Sequence, residues 1–226
     1  MVYKFYCDSP LKEGQTIVLS PEESKHAIAV LRLINNTDIL LLNGEGSVAN
    51  ATICNAHKTN CEAIINSVEH QPTQGQFTLL ISPPKSTDRW EYIIEKAQEL
   101  NVSSIQPVVT FHSERKKINI EKANKIARAA LKQCGAFYQC KILEPVTFAQ
   151  ALQNYPPGLY GYCKMLNNET NNNTISTVFI GPEGDFSEHE VSLFVAAGWK
   201  TMRLANNILR SETAAITAIV KHNPFL

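Results

Sequence analysis

The chain has 226 residues, 44% of them hydrophobic, and its 21 Lys and Arg balance 21 Asp and Glu. This composition excludes a disordered chain and a simple polycation, and the length suffices for two domains. The charge is uneven, however, because residues 85–141 carry eleven Lys and Arg against six Asp and Glu. A local basic surface of this kind can hold a polyanion without a net positive charge.

The sequence does not have the features of a membrane, secreted or metal-binding protein. No stretch approaches the roughly 18 apolar residues of a membrane span, and the first ten residues lack the apolar core of a signal peptide. The six cysteines form no Cys-x-x-Cys pair, and His57 near Cys54 and Cys61 would be only half of a zinc site. We therefore expect a cytoplasmic protein with reduced thiols and no metal ion.

The first 70 residues have the pattern of a small β-barrel. Short apolar runs predict strands at 16–19, 38–42, 47–53 and 61–68, and the turn at 43–46 predicts a hairpin. Ser20 and Pro21 predict the start of one helix that runs through Leu31. We expect a domain over residues 1–70, followed by a polar linker at 71–76 that contains Pro and Gly.

From residue 77 onward, strand and helix patterns alternate. Pro107 places the strand at 105–109 at an edge or a strand end, and the Asn-rich segment 164–174 predicts a surface loop. Alternation of this kind predicts an α/β fold with a parallel sheet that helices cover on both faces, over residues 77–226. The predicted strands lie at 77–81, 105–109, 142, 159–162, 177–180 and 202–204, and the helices around 90–100, 120–134, from 147, 187–197 and 214–220.

The strand at 177–180 ends in the turn Gly181-Pro182-Glu183-Gly184. Ligands of parallel α/β sheets bind beyond the carboxyl ends of strands, and the two glycines permit close backbone approach and unusual φ angles. The spacing is not that of a phosphate loop, and Glu183 would repel phosphate, so a cationic ligand fits better. The alternative is a tight strand-to-helix turn without a ligand.

A second segment of interest joins the strand at 202–204 to the last helix. It brings Arg210 and Glu212 to a helix N-terminus, where the backbone N–H groups favour negative charge. The alternative is a surface ion pair between Arg210 and Glu212, which would contribute little to stability.

The two segments GPEGDFSEHE and LANNILRSETAAI resemble the motifs of the 16S ribosomal RNA (uracil-N3)-methyltransferases, which belong to the SPOUT superfamily. The resemblance extends to HAIAVLR and LLLNGEGSVANATI in the first 70 residues and to KSTDRWEYIIEKAQELNVSSIQPVVT in the middle of the chain. It implies a PUA-like β-barrel that holds RNA, a deep trefoil knot in the C-terminal domain, S-adenosylmethionine as the cofactor, and a homodimer with composite active sites.

The resemblance also implies which residues bind the cofactor. One wall of its pocket would be the end of the strand at 177–180 with the following turn, a second would be the segment 204–209, and the region after 159–162 would supply a third. The implied cofactor-binding residues are Ile180, Gly181, Pro182, Glu183, Gly184, Leu204, Asn206, Ile208 and Leu209.

The implied reaction is methylation of N3 of a uridine in 16S rRNA, within the assembled small ribosomal subunit. Arg210 would stabilise negative charge on the uracil, and Glu183, Glu212 or water would take the N3 proton. The alternatives are a methyltransferase of the same fold that acts on another RNA, and an inactive RNA-binding relative. The candidate phosphate contacts are Arg32, Lys85, Arg89 and Arg115.

The sequence departs from the family pattern in three places. Asp185 and Ala205 each occupy a position where the family has glycine. An arginine of the family is replaced by Ala136 or Phe137, so the RNA or cofactor contact of that arginine is in question and Gln133 is the remaining candidate there.

Overall fold

The structure, a computed structural model, describes residues 2–72, 75–163 and 175–226. The predicted surface loop at 164–174 and residues 73 and 74 of the predicted linker lie outside these ranges. Contacts divide the chain into two compact units, Met1–Thr73 with Arg128–Gln139, and Gln74–Ala127 with Cys140–Leu226. No helix in the described ranges is long and apolar enough to cross a membrane.

The first unit contains a mixed five-stranded sheet. Its strands are β1 (Tyr3–Tyr6), β2 (Thr16–Val18), β3 (Asp38–Leu42), β4 (Ser47–Asn55) and β5 (Glu62–His70), in the order β1-β3-β4-β5-β2. The predicted hairpin is confirmed, because β3 and β4 pair in antiparallel fashion. Two register shifts between β4 and β5 interrupt the ladder, as β-bulges do, and curl the sheet around a core that includes Phe5, Leu41 and Ile53.

The predicted helix of the first unit is present but changes type along its length. The hydroxyl of Ser20 accepts the N–H of Glu23 at 3.2 Å, and Pro21 occupies the first position of α1 (Pro21–Lys25), so the predicted start is confirmed. The helix continues as a π-helical turn at His26–Val30, and the N–H of Leu31 donates to the carbonyl of His26 at 2.9 Å. Arg32 then adopts a φ of 57°, which no helix can continue.

The segment Arg128–Gln139 contacts the hairpin turn of the first unit. The N–H of Gly46 donates to the carbonyl of Phe137 at 3.0 Å, and the N–H of Gln139 donates to the carbonyl of Gly44 at 2.9 Å. The guanidinium of Arg128 lies 4.5 Å from the ring centre of Tyr6. The first unit is therefore not continuous in sequence.

The second unit contains a seven-stranded sheet in which every strand pair is parallel, as predicted. Its strands are β6 (Thr78–Ile81), β7 (Ser104–Val109), β8 (Lys141–Ile142), β9 (Val146–Thr147), β10 (Leu159–Gly161), β11 (Thr177–Ile180) and β12 (Lys200–Met202). The order is β12-β10-β11-β6-β7-β8, and β9 also pairs with β7.

The prediction that Pro107 lies in an edge strand or at the end of a strand is wrong. Strand β7 pairs with β6 on one side and with β8 and β9 on the other. Pro107 lies between Ser104–Ile105, which pair with β8, and Val108–Val109, which pair with β9. A residue without an N–H therefore interrupts no pairing on that side of the strand.

In the described part of the chain, five helices accompany this sheet: α2 (Thr87–Glu99), α3 (Ile120–Cys134), α4 (Phe148–Asn154), α5 (Glu188–Ala196) and α6 (Ser211–His222). Residues Leu79 and Ile81 of β6 share one core with α2, α3 and α6. Leu80 between them belongs to a second, aromatic core with α4 and α5. Because successive strand residues face opposite sides, the two cores show that helices cover both faces of the sheet, as predicted.

Local capping chemistry fixes where the helices near the sheet edge begin. Ser187 and Glu190 form a capping box at the start of α5, and Thr147 and Gln150 form another at α4. Helix α6 begins at Ser211, three residues earlier than predicted, and β12 ends at Met202. The segment 203–210 is therefore a loop.

Candidate functional site

A cavity of about 420 Å³ lies beyond the carboxyl ends of the adjacent strands β10, β11 and β12. Its volume is within the range of small-molecule sites, and its position is where parallel sheets bind ligands. The wall residues come from the ends of these strands and the loops that follow, from the start of α6, and from Arg89 in α2. They are Arg89, Gly161, Tyr162, Cys163, Ile180, Gly181, Pro182, Glu183, Asp185, Met202–Ala205, Asn206, Asn207, Ile208, Leu209, Arg210, Ser211 and Ala214.

The structure brings together nearly all of the predicted cofactor-binding residues. Gly184 is the exception, because it is not among the residues that line the cavity. The third wall, predicted after 159–162, is formed by Gly161, Tyr162 and Cys163. The predicted residues that line the cavity are Ile180, Gly181, Pro182, Glu183, Leu204, Asn206, Ile208 and Leu209.

The unusual φ angles predicted for the two glycines of the turn after β11 are not found, whereas close approach of a ligand to their backbone stays a prediction. Neither Gly181 nor Gly184 has a positive φ; the residue of this turn in the left-handed region is Asp185, with a φ of 61°. A Cβ on Gly181 would lie 3.0 Å from the buried ring of Phe186, and one on Gly184 would lie 3.1 Å from Cβ of His112. Packing within the protein therefore accounts for both glycines.

Arg210 is the N-cap residue of α6, and its side chain makes no capping hydrogen bond. The residue is exposed and lines the cavity. Within the described ranges its guanidinium forms no ion pair. Its charge is therefore available to a ligand.

Glu183 also lines the cavity and is exposed. Its Oε1 accepts the backbone N–H of Lys85 at 3.2 Å. This bond joins the turn after β11 to the loop between β6 and α2, so the carboxylate has a defined position.

Glu212 is not among the residues that line the cavity, and it does not pair with Arg210. Its Oε1 lies 3.5 Å from Nε of Arg89, and its side chain is only 14% exposed. Its Oε2 is buried without a hydrogen-bond partner in the described part of the chain. The sequence missed this pair because Arg89 and Glu212 lie far apart along the chain.

The predicted phosphate contacts are placed differently from one another. Arg89 lines the cavity, whereas Arg115 donates to the carbonyl of Lys85 at 2.6 Å and to Oγ1 of Thr87 at 2.8 Å. Lys85 forms an exposed ion pair of 2.7 Å with Glu114. Arg32 is exposed in the first unit. Arg115 thus fixes the loop before α2. That any of the four residues contacts RNA phosphates stays a prediction.

The departures from the family pattern also have definite positions. Ala205 and Asp185 line the cavity, but Gln133, Ala136 and Phe137 do not. Over the described ranges, no group of three or more His, Cys, Asp or Glu side chains could hold a metal ion.

Comparison with known proteins places this architecture in a family. A family model described as an RNA methyltransferase domain matches residues 70–223, a range that contains every residue lining the cavity. The chain belongs to this RNA methyltransferase family. The match confirms the family-level identification made from the two motif segments.

Relatives resemble this RNA methyltransferase over almost their whole length. Ribosomal RNA small subunit methyltransferase E of Rickettsia conorii is 29% identical, and the match covers 96% of this chain and 93% of the relative. The solved structure of ribosomal RNA small subunit methyltransferase E from Neisseria gonorrhoeae, bound to S-adenosyl methionine, is 27% identical with a TM-score of 0.86, covering 98% of this chain and 96% of that one. A Legionella pneumophila structure in complex with bound SAM is 25% identical with a TM-score of 0.87, covering 99% and 97%.

Proposed function

We propose that this protein transfers the methyl group of S-adenosylmethionine to N3 of a uridine in 16S rRNA of the small ribosomal subunit. The observation that carries the proposal is the cavity at the ends of β10, β11 and β12, whose walls include residues of the two C-terminal motif segments that carry the family resemblance. The names of the relatives, and the SAM bound in two of the similar structures, support the same donor and the same class of RNA.

The residues of the cavity fit this cofactor. Ile180, Leu204 and Ile208 offer apolar surface for an adenine ring, and the carboxylates of Glu183 and Asp185 are compatible with a positively charged sulfonium. When bound, the cofactor supplies an electrophilic methyl group on that sulfonium. The wall residues named above would hold it and orient it, and orientation of the reacting atoms contributes much of the rate in such reactions.

Arg210 is assigned to the substrate. Uridine N3 carries a proton at neutral pH, and its loss as N3 attacks the methyl carbon leaves negative charge on the uracil oxygens. The guanidinium of Arg210 lines the cavity and would stabilise that charge. Because N3 lies on the pairing edge of the base, the uridine must be unpaired or turned out of its stack.

We assign the role of the base that accepts the N3 proton to Glu183 in preference to Glu212. Glu183 lines the cavity and has an exposed side chain, whereas Glu212 is paired with Arg89 and does not line it. In the proposed step N3 would exchange its N–H bond for a bond to the methyl group that the bound cofactor would supply, and the carboxylate of Glu183 would receive the N3 proton. A water molecule that relays the proton is the competing assignment.

The larger-scale proposals concern fold details and assembly. We propose that residues 1–70 form a PUA-like domain that holds RNA, that the C-terminal domain is knotted, and that the protein acts as a cytoplasmic homodimer on the assembled subunit. The curled mixed sheet of the first unit and the exposed Arg32 support the RNA-holding role. Sedimentation velocity at several concentrations tests the dimer, because a monomer at micromolar protein would contradict it.

The experiment that tests the reaction is methyl transfer from labelled S-adenosylmethionine to small ribosomal subunits that lack the modification. Nuclease digestion and mass spectrometry should identify N3-methyluridine. Arg210→Ala should lower kcat about 100-fold, as loss of one charge-stabilising group does, with cofactor affinity unchanged. Label on a different RNA would indicate a same-fold methyltransferase with another substrate, and cofactor-free RNA binding alone would indicate an inactive relative.

A further inference from the structure

The turn after β11 contains a strained residue that the proposed reaction does not use. Asp185 has a φ of 61°, in the left-handed region that side chains other than glycine rarely adopt. It also lines the cavity. A residue stays in an unfavourable backbone conformation only when its contacts stabilise that conformation. The contacts of Asp185 therefore indicate its role.

Both carboxylate oxygens of Asp185 accept backbone hydrogen bonds. Oδ1 accepts the N–H of the next residue, Phe186, at 2.9 Å, and Oδ2 accepts the N–H of Cys163 at 3.2 Å. The backbone carbonyl of Asp185 lies 2.9 Å from Nδ1 of His112. Bonds to an ionised acceptor are stronger than neutral ones, so the carboxylate is a firm attachment point.

The bond to Cys163 joins two different walls of the cavity. Cys163 follows β10, whereas Asp185 follows β11, and these two strands are neighbours in the sheet. Tyr162 and Cys163 line the cavity from the end of β10, and Pro182 and Glu183 line it from the turn after β11. This hydrogen bond therefore links the residues after β10 to the turn after β11 through a side chain.

We propose that Asp185 is a positioning residue that holds Tyr162 and Cys163, which follow β10, against the turn after β11, and so fixes the spacing of two cavity walls for the cofactor. The inference rests on the proposed function for the identity of the ligand. Holding a loop in its binding conformation before the ligand arrives raises affinity, because less conformational freedom is lost on binding.

A purely local role for Asp185 makes a different prediction. If the side chain only stabilised its own turn, Asp185→Gly would lose the hydrogen bond to Phe186 but would leave the amide exchange of Cys163 and the cofactor affinity unchanged, because glycine adopts a φ of 61° without strain. Asp185→Gly therefore separates the two roles. Asn36→Gly is the matched control, because Asn36 has a φ of 66°, lies in the first unit, and does not line the cavity.

The first readout needs no cofactor. Amide hydrogen exchange of Cys163, followed by NMR in the ligand-free protein, should be at least about ten-fold faster in Asp185→Gly than in the wild type, because its acceptor is lost. Asn36→Gly should leave that rate unchanged. An unchanged exchange rate at Cys163 in Asp185→Gly would overturn the proposal.

The second readout is binding of S-adenosylmethionine by calorimetry. Asp185→Gly should bind about ten-fold more weakly and raise KM for the cofactor, with kcat at saturation within about two-fold of the wild type. Asp185→Asn should fall between them, because one amide oxygen can still accept. Equal affinities of Asp185→Gly and the wild type would overturn this inference alone, whereas a wild-type chain that binds no cofactor would overturn the proposed function and the cofactor role of Asp185 with it.

Discussion

At the scale of single residues, the Cys163 thiol reports on the electrostatics of the cavity wall. Desolvation raises the pKa of this thiol, and the charge of Asp185 and a hydrogen bond to it raise the pKa further. Alkylating agents react with the thiolate, so a thiol with a raised pKa has a smaller reactive fraction at pH 8 than an ordinary thiol.

We expect Cys163 to react with iodoacetamide more slowly than free cysteine at pH 8, with a rate that continues to increase above pH 9. Asp185→Asn removes the neighbouring charge, so the pKa of Cys163 should fall and its rate at pH 8 should rise. Peptide mass spectrometry of timed samples measures the rate at this residue alone. A rate equal to that of free cysteine and insensitive to Asp185→Asn would contradict the account.

Sites formed by residues that are adjacent in sequence were predicted, whereas contacts between residues that are far apart in sequence were not. The turn Gly181–Gly184 and the segment 204–209 are each continuous in sequence, so their motifs could be matched to the family pattern without knowledge of the fold. The pairs Arg89–Glu212 and Asp185–Cys163 join side chains and backbone of distant segments. No periodicity or spacing in the sequence records such a contact, since tertiary packing decides it.

At the scale of the elements, Gly181 sets how closely the turn after β11 packs on the aromatic core. A methyl group there would lie 3.0 to 3.3 Å from three atoms of the Phe186 ring, which is 4% exposed and surrounded by other aromatic rings. Gly181→Ala should therefore lower the free energy of unfolding by about 1–3 kcal/mol, as overpacking of a core does.

Gly161 provides the matched control. Its added methyl group would meet its nearest neighbour, Cδ1 of Ile180, at 3.5 Å, which is ordinary contact. Gly161→Ala should therefore change the free energy of unfolding by less than about 1 kcal/mol. Urea denaturation of both variants measures the difference, and equal stabilities would show that the Phe186 ring moves aside without cost.

The ion pair between Arg89 and Glu212 joins α2 to the first turn of α6. Arg89→Ala would leave a largely buried carboxylate without its partner, so we expect a loss of about 1 kcal/mol after allowing for the partial exposure of the arginine. Glu212→Gln in the Arg89→Ala background should recover part of that loss, because it removes the unpaired charge. A double-mutant cycle, with the free energy of unfolding measured in urea, gives the coupling between Arg89 and Glu212. Additive effects of the two substitutions would contradict this prediction.

Element types followed from periodicity, whereas several boundaries did not. The predicted helix starts at 147 and 187 agree with α4 and α5, where the capping bonds are local. The π-helical turn at His26–Val30 and the parallel pairing of β1 with β3 depend on the rest of the fold. Pro107 looked like an edge residue because the sequence cannot show that two short strands divide one side of β7 between them.

At the scale of the whole molecule, the first unit draws on two distant parts of the chain. Leu131 is fully buried, Lys132 pairs with Glu23, and Arg128 pairs with Asp8 at 3.3 Å, all within that unit. A fragment that begins at residue 75 keeps the segment 128–139 but lacks these partners. A linear division of the sequence at its polar linker does not reveal this dependence.

We therefore expect the fragment 75–226 to melt at a lower temperature than the full chain and to bind more of a hydrophobic dye such as ANS. The exposed Leu131 is the physical reason, because burial of one leucine side chain contributes about 1.5–3 kcal/mol. Leu131→Gln in the fragment should reduce dye binding. A fragment with the melting temperature of the full chain would show that the segment needs no partner.

The central claim is that the cavity at the ends of β10, β11 and β12 binds S-adenosylmethionine, and calorimetric titration of the purified chain tests it most directly. We predict saturable binding with one cofactor per chain, weakened at least about ten-fold by Ala214→Trp, which adds an indole to the cavity wall. Asn36→Gly should bind as the wild type does. A wild-type chain that binds no cofactor, or an Ala214→Trp variant that binds it equally well, would contradict the account.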